Sequence, residues 1–351
     1  MKSKFKVLLM TIFISFIPFF FLQVMANENV INWNITDFEG TYNTGHYFDV
    51  MEQRIKDDNY GFTNINSIIT IHRGQLAFES YYNGYNQDTL FDIRSVTKTI
   101  TSALIGIATD KGFIGDVNDK VIDYLPEYVD EINDSRFKEL TIKHLLTMTD
   151  GMDWKEEYFN SEEVQRYPVR TAFRLSFKNE PGEEFRYSSL NSHLLSAIIN
   201  KATGMSELEF ANKYLFGPLN IKEISWAEDY QGINTGGFGL QLRTRDMVKI
   251  GQLYYNKGIW DSQQIISSDW INESTEPHVS VSNNINYGYH IWTDNFSYFA
   301  RGYGGQLIMI IPDFEIVIAI TSSTDQVKDN ENQLISDYII PAFINYDKIK
   351  D

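Results

Sequence analysis

No cysteine occurs in the 351 residues. That excludes disulfide scaffolds, Cys-ligated zinc, iron–sulfur clusters and thiol nucleophiles. Positive charge is scarce too: 30 Lys and Arg stand against 47 Asp and Glu, a net charge of −17. No basic block interrupts the acidity, which excludes nucleic acid as a partner, since it is bound through Lys and Arg on phosphate. No Gly-x-Gly-x-x-Gly lies in a βαβ pattern and no Gly-Lys-Ser/Thr appears, so nucleotide-binding signatures are missing. The six His (46, 72, 144, 193, 278, 290) form no His-Glu-x-x-His or His-x-His pair, and no metal or cofactor is expected. No Gly-x-Ser-x-Gly elbow exists, which argues against an α/β-hydrolase. Linkers, repeats and low-complexity tracts are absent as well. What is present is 43% hydrophobic and 15% aromatic, the composition of a folded body rather than a disordered one.

One long apolar run exists, from Val7 to Val24, preceded by Lys2, Lys4 and Lys6 and followed by Val24-Met25-Ala26. This is the layout of a secretory signal over residues 1–26, with cleavage before Asn27. Losing its three lysines takes the charge from −17 to −20. The alternative is a retained anchor, because 18 residues just span a bilayer. Either reading exports the body, as a secreted protein or on the outer face of the cytoplasmic membrane, and is compatible with association with the cell envelope. No Cys follows the run, so lipoprotein anchoring is excluded.

Residues 66–82 contain two apolar runs around Arg73-Gly74 and read as a β-hairpin. Ile100, Ala103, Leu104, Ile107 and Ala108 give residues 95–110 a helical period, stopped by Lys111-Gly112. Further helices are expected at 141–146, 192–201 and 244–256, and a closing helix at 330–345. Strands are expected at Tyr287–Trp292, Leu307–Ile311 and Ile316–Thr321, with Pro312-Asp313 turning the last pair. The order of elements implies an α/β fold with a sheet built from both chain ends. Residues 27–112 and 285–351 would form the sheet domain, and 113–284 a mainly helical lobe inserted between its halves.

Ser95-Val96-Thr97-Lys98 opens the first clear helix. Ser and Lys three residues apart share a helix face. A serine hydroxyl needs a base, and a lysine amine serves when its pKa is lowered. Ser-x-x-Lys also occurs at Ser3 and Ser135, but only Ser95 follows a strand pair and precedes a buried helix. A second candidate, Tyr187, sits in the loop Pro181-Gly182-Glu183-Glu184-Phe185-Arg186-Tyr187-Ser188-Ser189, just before another apolar helix. A phenol relays protons if cations stabilise its phenolate or if it shuttles in concert. The third element is Ala300-Arg301-Gly302-Tyr303-Gly304-Gly305-Gln306, whose glycines allow backbone to approach a substrate closely. Trp154 and Tyr158, after the Thr149-Asp150-Gly151 turn, are candidates for a cleft rim.

Taken in this order, these stretches resemble the penicillin-recognising serine hydrolases. The branch is that of class C β-lactamases, D-alanyl-D-alanine carboxypeptidases, related esterases and nylon-oligomer hydrolases. Phe91-Asp92-Ile93-Arg94, Thr141 to Gly151, and Gly236-Gly237-Phe238-Gly239-Leu240 with Thr244-Arg245-Asp246 add to the likeness, which covers residues 65–345. The resemblance implies a β-lactamase-like fold, an antiparallel sheet flanked by helices. It implies that Ser95 is acylated, that Lys98 is its base and that Tyr187 serves the leaving group and the deacylating water. It also implies an oxyanion hole from the N–H groups of Ser95 and Tyr303, and a small-molecule or peptide substrate. Two positions depart from the pattern. Ser189 stands where the family usually has an Asn that contacts the substrate amide, with Asn191 as a candidate substitute. The Lys-Thr-Gly strand motif is replaced by Ala300-Arg301-Gly302, with Arg301 as the candidate replacement charge, and Gly302 and Gly304 beside the substrate. Rival readings are a β-lactamase or D,D-carboxypeptidase, and a non-catalytic penicillin-binding-like sensor.

Overall fold

The computed structural model describes Ile31, Trp33, residues 44–328 and residues 330–347. The expected signal over 1–26 lies outside the described residues. Among those described, no helix is long and apolar enough to cross a membrane.

Eight strands form one antiparallel sheet: β1 (Ile65–His72), β2 (Gln75–Tyr81), β3 (Val279–Ser282), β4 (Ile285–Tyr287), β5 (Trp292–Thr293), β6 (Tyr298–Gly302), β7 (Gln306–Ile311) and β8 (Ile316–Ser322). Their spatial order is β2-β1-β8-β7-β6-β5-β4-β3, so the two chain ends meet where β1 pairs with β8. The β1–β2 turn places Arg73 and Gly74 at φ +52° and +71°, the positive values that a two-residue I′ hairpin requires. Every residue of β1, β7 and β8 is buried, which explains their near-continuous apolar sequence: helices cover both faces.

One face carries α1 (Thr44–Lys56) and the closing helical segment of residues 331–347. Phe48, Met51, Phe299, Leu307, Ile318, Leu334 and Phe343 form the core there. The other face carries α2 (Thr97–Asp110), which is buried from Thr97 to Ala108. Its core runs without a break from Ile71, Ile308 and Val317 of the sheet through Leu104 to Phe137, Leu194 and Phe216 of the insert. Around α2 stand α3 (Ser189–Thr203), α4 (Glu207–Ala211) and α5 (Thr244–Tyr255).

The structure corrects two boundaries. The insert contributes β3 from Val279 to the sheet, and its helix α5 lies on the sheet, with Gly251 against Val317 and Ile308. The sheet body therefore reaches into the 113–284 segment. The strand expected over Tyr287–Trp292 is interrupted. Tyr289, His290 and Ile291 turn inward, with His290 at φ +55°. Both the backbone N–H of His290 and its Nδ1 lie 2.9 Å from the Leu146 carbonyl, a contact with the insert that a sheet partner cannot supply.

Candidate active site

Ser95 sits in a 3-10 turn, Arg94–Val96, that leads directly into α2. The helix begins at Thr97, two residues later than the apolar period implies. Arg94 is held at φ +52°, where its backbone N–H bonds the Asp92 carboxylate at 2.9 Å. This bend leaves Ser95 partly exposed and turns Lys98 inward, one helical turn on.

Lys98 is 1% exposed. Its Nζ lies 3.1 Å from Ser95 Oγ, 2.9 Å from Ser189 Oγ and 2.8 Å from the Gly237 carbonyl. Burial lowers its pKa from 10.5 to about 8, and the Glu156 charge partly opposes that shift. The contacts suit either protonation state. The ammonium donates to all three oxygens. The neutral amine donates to Gly237 and Ser189 and turns its lone pair to the Ser95 hydroxyl. The Gly236-Gly237 backbone reaches this depth because neither residue has a side chain: a Cβ on Gly236 would lie 2.2 Å from the Ser192 carbonyl.

Tyr187 is half-buried, stacked on Trp292 at 5.9 Å and edge-on to Tyr287 at 6.4 Å. Lys98 Nζ is 4.8 Å from its ring centre. Burial pushes the Tyr187 hydroxyl well above its ordinary pKa, against a hydrogen bond with Ser95 that favours ionisation. Burial thus favours the neutral phenol at Tyr187 over the phenolate.

The 302–305 turn lies against this group. A Cβ on Gly302 would come within 2.5 Å of the Ile93 carbonyl and 3.0 Å of Arg94 Cβ, so only glycine lets β6 end beside the Ser95 turn. Tyr303 follows with an exposed side chain, and Gly304 takes φ +82°.

The remaining expected residues divide. Ser189 joins the site through Lys98. Asn191 does not: it is fully buried on another side of α3 and donates from Nδ2 to Asp150 Oδ2 at 2.7 Å. Two residues along a helix turn a side chain through about 200°, so Ser189 and Asn191 cannot share a face. Arg301 does not point into the cleft. It pairs with the buried Glu331 of the closing helical segment, on the face of the sheet opposite Ser95. Trp154 is 3% exposed and forms no rim. Tyr158 is exposed, and its ring contacts Trp154 and Lys155.

Sequence reasoning missed Glu156. Its Oε1 accepts from the Ser189 backbone N–H at 2.7 Å and from the Trp154 indole at 2.9 Å. The signal was close by, because the indole singled out for a rim is the group that holds this carboxylate. His290 was also missed. It links Leu146 to Ser192, whose hydroxyl is 2.9 Å from Nε2, and burial takes its pKa down to about 3. It is thus a neutral brace. His193 and Asp229 pair at 3.0 Å beside a cavity of about 380 Å³ lined also by Phe159 and Phe238. No described hydrogen bond joins either of them to Ser95.

The β-lactamase family model matches residues 66–337, and the chain belongs to that family of serine hydrolases. A 6-aminohexanoate-dimer hydrolase of Paenarthrobacter ureafaciens is 22% identical over 63% of this chain and 58% of its own length. Protein flp of Staphylococcus aureus (strain MW2) is 24% identical over 56% of this chain and 41% of its own. The chain thus spans about half the length of these relatives. The octameric penicillin-binding protein homologue from Pyrococcus abyssi shares the fold, with a TM-score of 0.66 at 19% identity, over 85% of this chain and 77% of that one.

Proposed function

We infer that this protein is an exported serine hydrolase that cleaves amide or ester bonds through an acyl-enzyme on Ser95. One observation carries the reading: a buried lysine amine lies 3.1 Å from a reachable serine hydroxyl, amid neutral oxygens and, among the described residues, with no carboxylate bonded to it. Ser95 Oγ attacks the carbonyl carbon while neutral Lys98 takes its proton. The oxyanion forms between the backbone N–H groups of Ser95 and Tyr303. Tyr187 passes the proton from Lys98 to the leaving group, which departs. Water then attacks the ester in the reverse sense and restores the Ser95 hydroxyl. Export is read from the apolar segment of residues 1–26, and a mature chain beginning at Asn27 outside the cytoplasmic membrane tests it.

A β-lactamase or D,D-carboxypeptidase shares this chemistry, but it calls for a cation to dock the substrate carboxylate. Arg301 is unsuited to that task, and this favours esters and amides without one. The test treats residues 27–351 and their Ser95→Ala variant with a fluorophosphonate, a p-nitrophenyl ester, a chromogenic cephalosporin and a D-Ala-D-Ala peptide. Wild type should gain one phosphonyl group by intact mass and turn over the ester; Ser95→Ala should do neither. Labelling that persists in Ser95→Ala overturns the assignment. Labelling without turnover of any substrate favours the non-catalytic sensor.

A further inference from the structure

Behind the sheet, on the face away from Ser95, lies a cavity of about 520 Å³, larger than the one of about 380 Å³ beside His193. Alternation along the strands builds its floor. Phe299 and Arg301 of β6 and Met309 and Ile311 of β7 share one face, and Phe299 lies directly opposite Met309 in the register. The closing helical segment forms another wall, with Ile335, Ser336 and Ile340. That segment departs from an α-helix at this point. The Ile340 N–H bonds the Ile335 carbonyl, five residues back, a π turn of the kind that recurs at functional sites. Phe296 stands at the rim and is 71% exposed, more than any other large apolar side chain among the described residues.

Three charged side chains set what this cavity can hold. Arg301 lines it and is partly exposed, whereas its partner Glu331 is fully buried. Among the described residues only Nη2 of the guanidinium is engaged, so N–H donors remain for a ligand oxygen. Asp294 at the rim is already hydrogen-bonded: Oδ1 accepts from the N–H groups of Phe296 and Ser297, and Oδ2 from the Ser297 hydroxyl. An anionic head would meet the fields of Glu331 and Asp294, and a cationic head that of Arg301. A neutral head with an acceptor oxygen avoids both penalties and takes an Arg301 N–H.

We propose that this cavity binds an uncharged amphiphile, with an aliphatic chain on the apolar floor and a hydroxyl or carbonyl oxygen on Arg301. Mostly apolar cavities of this size with a few convergent polar groups are the usual sites for small molecules. The site lies across the sheet from Ser95 and is independent of the hydrolase reading.

Protein labelled with methyl-13C methionine tests this, with the Met309 methyl signal assigned by its loss in Met309→Leu. The probes are decan-1-ol, decanoate and decyltrimethylammonium. Decan-1-ol should shift the Met309 signal saturably and bind at least about tenfold more tightly than either charged analogue. Octan-1-ol, two methylenes shorter, should bind about tenfold more weakly than decan-1-ol. Ser336→Trp and Asn332→Trp place an indole in the cavity from two exposed positions of the helical wall, and each should abolish the shift. Tyr230→Trp, at the cavity beside His193, should leave the titration unchanged. No Met309 shift with any probe overturns the proposal. So does a shift that survives both Trp variants of the wall, or a charged analogue that binds within about threefold of decan-1-ol or more tightly.

Discussion

Two cations, one on each side of the sheet, show what makes a charge useful. Arg301 projects behind the sheet onto Glu331, a carboxylate with no exposed surface. A guanidinium paired in that way is a structural tie. Lys98 is buried as deeply as Glu331, but its neighbours are a carbonyl and two hydroxyls. Neutral acceptors stabilise an ammonium less than a carboxylate does, so burial lowers the Lys98 pKa to about 8, where the amine can act as a base. Burial alone does not distinguish the sites; the charge of the partner does.

The contrast can be broken at either end. The largest effect belongs to Lys98→Met, which keeps the volume and removes the amine. It should lower kcat/KM by about 10³-fold with little change in the unfolding midpoint. On the other face, Arg301→Met strands the Glu331 carboxylate and should cost about 2 kcal/mol in urea unfolding, with kcat/KM within about twofold of wild type. A large loss of activity there would place Arg301 in the cleft after all.

Glu207 is a third buried ionisable group and extends the comparison to an acid. It is enclosed by α2 and α3, with Thr101 and Ser196 as neighbours, and burial raises its pKa from 4.5 to about 8. Between those values the unfolded chain is ionised at this position and the folded one is protonated. The folded state then binds the extra proton, so stability falls as pH rises from 4.5 towards 8. Glu207→Gln removes that dependence and should stabilise the protein at pH 8 by about 1–2 kcal/mol relative to wild type. Equal stability curves for the two proteins at pH 5 and pH 8 would contradict it. The smallest shift concerns Glu156. Its charge raises the Lys98 pKa, so Glu156→Gln should move the acid limb of the pH–rate profile to lower pH. A limb that moves upward would reverse the sign of that field.

Much of the site was legible because it is local. Ser95 and Lys98 are one helical turn apart, and the turn fixes their meeting without reference to the rest of the chain. The hairpin at Arg73-Gly74 and the stop at Lys111-Gly112 are local in the same sense. Two misplacements also had local answers. Along a strand, side chains alternate, so if Gly302 faces the Ser95 turn then Arg301 must face away. On α3, the rotation that brings Ser189 to Lys98 carries Asn191 to another side. Other features were not local. The inward turn at His290 depends on the Leu146 carbonyl, 144 positions earlier in the chain. Glu156 reaches the site only because the start of α3, 33 residues later, offers it an N–H. The lobe boundary blurred because one apolar core serves both the insert and the sheet.

The central claim is that neutral Lys98 activates Ser95. The rate of fluorophosphonate attachment to Ser95, followed by intact mass from pH 5 to pH 10, tests it most directly. With Lys98 as the base, the rate should rise with pH along a single limb centred near 8, and the limb should vanish in Lys98→Met. A rate independent of pH between 5 and 9, or a limb unchanged in Lys98→Met, would contradict the account.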